Sequence, residues 1–196
     1  MSTILNSLLF LALLACAFVP ACASGQTLSP ETQDTLDAIA ARQPKLTAAD
    51  RAAARELNVK GDRAYRHRRY DAAFTDYMNS YPNAPNAYAY IMSGDTYWRG
   101  VLEYQQSQSK GASGCPLDNT DFVHILSMNL NQEQKVGLAL VDRHFPGTSL
   151  SPGFVQRARE ETACLQAMAQ KYASLPASSC IDLKLLEHCL GAPLIQ

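Results

Sequence analysis

The stretch "VKGDRAYR" at 59–66 returns thirty-three residues later as "MSGDTYWR" at 92–99. A Gly-Asp-x-x-aromatic-Arg string written twice at that separation constrains the fold more than any other feature, because a period of roughly 20–50 residues marks stacked helical hairpins. After Gly61 come Tyr70, Ala73, Tyr77, Ser80 and Pro85. In a second antiparallel helix the small residues allow close approach, the aromatics fill the space beside them, and the proline ends the hairpin.

The rest of the chain is punctuated as helix. Ser29-Pro30 and Ser151-Pro152 each pair an N-cap with a proline at the first helical position, and Thr47-Ala-Ala-Asp50 has nearly the form of a capping box. Helices are expected over about 30–42, 48–67, 70–80, 86–107, 119–129, 131–144, 152–174 and 181–190. No segment alternates apolar and polar residues with β-branched enrichment, so the fold class is all-α. The small, polar stretch 107–118 reads as a linker between an N-terminal part, 24–110, and a C-terminal part, 111–196.

The pattern over about 54–104 resembles the tetratricopeptide repeat. It holds through the first unit and fades in the second, where Gln106 stands in place of a small residue, so one full repeat plus a capping helix is expected. The resemblance implies a concave face formed by the first helix of each unit. On this chain that face carries Arg55, Asn58, Asp62, Tyr65 and Arg66 beside Tyr88, Ile91, Asp95, Trp98 and Arg99, the candidate partner-binding residues. The alternative is that these rings, and the Asp62/Arg66 and Asp95/Arg99 pairs at i,i+4 spacing, knit the helices together. Acidic residues at 62 and 95 disfavour the carboxylate-capturing clamp of the family and favour a basic or polar peptide segment.

An apolar run at 8–19 followed by Ala21-Cys22-Ala23 reads as a secretory signal peptide, 1–23, cut before Ser24. The rival reading is a lipobox at Leu13-Leu14-Ala15-Cys16, with a lipid anchor on Cys16. Cutting before Ser24 leaves an even four cysteines, whereas lipidation at Cys16 strands Cys22. No segment after the signal is long and apolar enough to be expected to span a membrane.

Of the three possible connectivities, pairing Cys180 with Cys189 is disfavoured, because nine helical residues separate their Cα atoms by roughly 13 Å. An antiparallel hairpin turning at 174–179 brings Cys164 and Cys189 to similar heights, which leaves Cys115 for Cys180. The expected architecture is a repeat-like hairpin followed by a C-terminal helical bundle stapled by Cys164–Cys189 and Cys115–Cys180. Cys180, His188 and Cys189 lack chelating spacing, so no metal or other cofactor is expected.

Seventeen basic and eighteen acidic residues nearly cancel, giving no global field for nucleic acid. The cluster Arg63, Arg66, His67, Arg68 and Arg69 reads as a solvated helix end. Nucleophile, phosphate-loop and dinucleotide motifs are absent, and Glu160 and Glu161, adjacent on a helix, point about 100° apart. The expected function is a non-enzymatic, exported (periplasmic) protein-binding module, an inhibitor or immunity protein or an adaptor. The alternatives are a periplasmic hydrolase acting on cell-wall polymer between the two halves, and a structural envelope protein.

Overall fold

Helix boundaries in this chain follow from capping chemistry. The computed structural model describes residues 28–108, 115, 117–127, 130–147 and 149–196. The expected signal peptide and lipobox lie outside them, as does most of the 107–118 stretch. Among the described residues the fold is all-α: α1 (Pro30–Arg42), a 3-10 turn (Gln43–Lys45), α2 (Ala48–Arg66), α3 (Tyr70–Ser80), α4 (Ala87–Gln108), α5 (Asn119–Ser127), α6 (Leu130–Asp142), α7 (Pro152–Ala173) and α8 (Leu183–Leu190).

Ser29 and Ser151 cap α1 and α7 through their hydroxyls, each with proline at the next position. Thr47 and Asp50 complete a reciprocal capping box at α2, the Asp50 amide donating to Oγ1 of Thr47 at 3.1 Å and the Thr47 amide to Oδ2 of Asp50 at 2.8 Å. Asn86 Oδ1 accepts the Ala89 amide at 2.9 Å and starts α4 just past Pro85. The last helix begins two residues later than the apolar pattern implies. Cys180 forms a bridge with Asp118, the Ile181 amide donates to Leu117 O at 2.9 Å, and the Asp182 carboxylate then caps α8.

Small residues decide which helices touch. A Cβ added at Gly61 would lie 2.7 Å from the Tyr77 ring, so the α2–α3 hairpin closes on bare backbone. Gly94, at the same place in the second motif, faces Gln134 of α6, where a Cβ would come within 2.9 Å. Three residues on, Gly137 packs against Ile91 and Ala87 as Ser80 follows Tyr77 in the first hairpin. The partner of α4 is therefore α6, not the chain that directly follows it; α5 is inserted between them.

Packing runs across position 110. One cluster joins Tyr65, Ala73, Tyr77, Ile91 and Met92 to Leu138, Phe154, Ala158 and Leu194. A second gathers Trp98 with Phe122, Leu165, Met168, Tyr172 and Leu186. A third seats Leu36 and Ile39 of α1 against Ala87, Tyr90 and α6. The bridges Cys115–Cys180 and Cys164–Cys189 are present, with Cα separations of 5.4 and 5.2 Å, and the second ties the end of α8 to α7.

Gly137→Val places methyl groups where Ile91 Cγ1 and the Ala87 carbonyl already stand at 2.7 and 2.9 Å from a Cβ. A backbone oxygen cannot step aside as a side chain does, so the expected loss is about 1–3 kcal/mol of stability. Thermal and denaturant unfolding check it.

Candidate functional site

The two repeated motifs converge on one stretch of chain. Arg99 of α4 donates from Nε to Asp95 Oδ1 at 2.9 Å, and from its terminal nitrogens to the carbonyls of Leu190, Gly191 and Ala192 at 2.7, 3.3 and 3.1 Å. Carbonyls at a helix C-terminus lack intrahelical donors, and a guanidinium fork supplies several at once. Arg66, its counterpart in the first motif, donates to Gln196 O at 2.6 Å. The first motif's aromatic, Tyr65, accepts the Leu194 amide at 3.3 Å. Arg157 of α7 completes the set by donating to the carbonyls of Pro193 and Leu194 at 3.3 and 2.7 Å.

Residues 191–196 therefore lie in a trough between α2, α4 and α7, held through main-chain atoms. Leu194 is 3% exposed and belongs to the same core cluster as Tyr65, Phe154 and Ala158, and Ile195 packs half-buried beside it. Next to the segment opens a cleft of about 430 Å³, lined by Tyr65, Arg66, Tyr70, Leu102, Glu103 and Gln196 among others.

The two motif aspartates have separate duties. Asp62 accepts from the hydroxyls of Tyr77 at 2.8 Å and Tyr88 at 2.5 Å, while Arg66 turns to Gln196. Mutual neutralisation within each Asp/Arg pair is thus realised only at Asp95 and Arg99. Burial, reinforced by neighbouring Asp62, pushes both tyrosine hydroxyls above their ordinary range, so they remain donors.

Asp95 is wholly enclosed, next to Glu161 of α7 at 3% exposure and Gln134 of α6 at 0%. Gln134 Nε2 donates to Glu161 Oε1 at 3.0 Å. Burial, then the adjacent Asp95 charge, raises the Glu161 carboxyl well above its ordinary range. The remaining oxygens, Asp95 Oδ2 and Glu161 Oε2, have no other partner. With its carboxyl raised, Glu161 can hold a proton and donate it to Asp95, which would satisfy both oxygens. Glu160 lies outside, bonded to Gln156 at 2.8 Å, as the 100° separation requires.

Of the ten candidate contact residues, Tyr65, Ile91, Asp95, Trp98 and Arg99 are buried, Asn58, Asp62 and Tyr88 half-buried, and Arg55 and Arg66 exposed. Trp98 has 0% exposure and its ring centroid sits 5.8 Å from that of Phe122, inside the second cluster. Ile91 is clamped on Gly137. The motif thus brings Tyr65, Arg66 and Arg99 onto the trough and sends Trp98 and Ile91 into the core. Arg157, Gln134, Glu161 and the 191–196 segment also belong to this region and carry no local sequence signal for it.

No protein-family model, no curated protein and no solved structure matches the chain.

Trp98→Ala should cost about 3–5 kcal/mol and be seen as a lowered melting temperature, as expected for truncating a fully buried aromatic. A second expectation concerns the shared proton. The folded value of Glu161 exceeds the ordinary 4.5, so the native state keeps a proton that the unfolded chain releases. The corresponding stability is fully present below that ordinary value and is lost as pH climbs from it toward the folded value. Glu161→Gln can donate to Asp95 and still accept from Gln134. Its melting temperature should fall less than that of the unmodified chain as pH rises from about the ordinary carboxyl value toward the raised folded one.

Proposed function

We propose that this chain is an exported, non-enzymatic protein-binding module that takes an extended polypeptide against a tetratricopeptide-like face formed by α2 and α4. One observation carries the reading: a non-helical segment, 191–196, already sits against these helices, gripped through its backbone by Arg66, Arg99, Arg157 and Tyr65. Main-chain recognition of this kind supplies affinity without demanding one sequence, and Tyr and Arg are the residues that most often anchor interfaces.

The two disulfides fit an oxidising compartment. Among the described residues no helix is long and apolar enough to cross a membrane. With a signal peptide removed before Ser24, the periplasm is the compartment proposed, and the role is that of an inhibitor, an immunity protein or an adaptor. The half-buried and exposed residues Arg55, Asn58, Asp62 and Tyr88 form the part of the face open to a partner.

A hydrolase acting on cell-wall polymer is the competing reading, favoured only by the paired carboxyls of Asp95 and Glu161. Both are enclosed among α4, α6 and α7, where a polymer has no access to them.

Affinity capture from an envelope extract tests the proposal. The unmodified chain should retain one stoichiometric partner, and Arg55→Glu with Asn58→Ala should lose it while circular dichroism and melting stay unchanged. Absence of any discrete partner would favour a structural envelope role. Turnover of peptidoglycan that disappears with a single carboxylate substitution would favour the hydrolase.

A further inference from the structure

The 191–196 segment leaves α8 at a fixed point and is then held mainly through its backbone. Cys189 is bonded to Cys164, and Arg99 saturates the carbonyls of Leu190 and Gly191, so α8 is fixed up to its last residue. Gly191 follows with φ of 51° and ψ of −148°, a backbone shape that side-chain-bearing residues rarely adopt. Beyond this pivot only Leu194 is buried; Ile195 is half-buried, and Ala192, Pro193 and Gln196 are exposed.

The contacts made past the pivot are of a transferable type. Arg66, Arg157 and Tyr65 touch the carbonyls of residues 193, 194 and 196 and the amide of Leu194, which any extended peptide presents. Selection by side chain falls to the socket of Leu194 and the half-open site of Ile195. Pro193 presets its own backbone angle and has no amide to satisfy, which lowers the entropy lost when the segment lies down.

We infer that the trough between α2, α4 and α7 binds, in trans, an extended segment of a partner protein in which proline is followed by two branched aliphatic residues, and that residues 192–196 occupy it in cis as a built-in competitor. This rests on the binding-module reading above and adds to it the ligand class and the contact that restrains it. A tethered segment acts at an effective concentration on the order of millimolar, so a free peptide meets an occupied trough and binds with an affinity reduced by the open fraction.

The test uses the full chain and a fluorescein-labelled peptide of sequence Ala-Pro-Leu-Ile-Gln, read by fluorescence anisotropy. The full chain carrying Leu194→Gly and Ile195→Gly should bind the peptide about ten-fold or more tighter than the unmodified chain. Adding Arg157→Ala should reverse that gain, and a peptide with Asp in place of Leu should not bind. A doubly substituted chain that keeps its helical circular dichroism and binds no better than the unmodified one overturns the inference.

If the substitutions unfold the protein, hydrogen exchange on the unmodified chain decides. Excess peptide should speed exchange at the Leu194 amide, now bonded to Tyr65, and an unchanged rate overturns the inference. A concentration-dependent dimer with that amide unaffected by peptide would assign the trough to a second copy of the chain, and would equally overturn it. Should peptide binding fail while partner capture through Arg55 and Asn58 survives, only this inference falls; failure of both removes the binding-module reading as well.

Discussion

Arg99 is the joint on which the C-terminal half of the molecule depends. Its guanidinium is buried, paired with Asp95 on its own helix, and divided among three carbonyls at the end of α8. Burying such a charge is costly, and taking away either partner typically costs about 3–5 kcal/mol because the survivor is left uncompensated. Where α4, α6 and α7 meet, burial and the neighbouring Asp95 raise the Glu161 carboxyl well above its ordinary range, and Gln134 donates to it. The position of α8, and of every residue after it, is set from there.

The two copies of Gly-Asp-x-x-aromatic-Arg show how one string is used in two surroundings. In both, glycine admits a neighbouring helix, Tyr77 of α3 against Gly61 and Gln134 of α6 against Gly94. In the first copy aspartate accepts tyrosine hydroxyls near the surface, whereas in the second it neutralises a buried arginine. Burial, rather than residue identity, decides the difference. Helix α4 is covered by α3, α6 and α8, while α2 keeps one flank in solvent.

Helix positions were legible because they are written locally: Ser29, Thr47 and Ser151 lie beside the residues they cap. The disulfide pairing followed from residue heights on a hairpin that is itself local. What local sequence does not carry is the identity of a packing partner. Periodicity assigns Gly94 and Trp98 to faces of α4 but does not say that α6 and α5 cover them, because α6 lies past an inserted helix. The same limit applies to the trough. Tyr65, Arg66 and Arg99 can be picked out as an interface set, yet their occupant lies more than ninety residues further along the chain, in a segment with no pattern of its own.

The staple and the trough are parts of one arrangement. The segment past Gly191 is held through its backbone by Arg66, Arg99, Arg157 and Tyr65 and by the buried side chain of Leu194. Cys164–Cys189 fixes the start of that segment one residue before the Arg99 contacts begin. The disulfide therefore acts on more than the stability of the hairpin: by fixing where the segment starts, it sets which main-chain groups meet Arg66, Arg99 and Arg157.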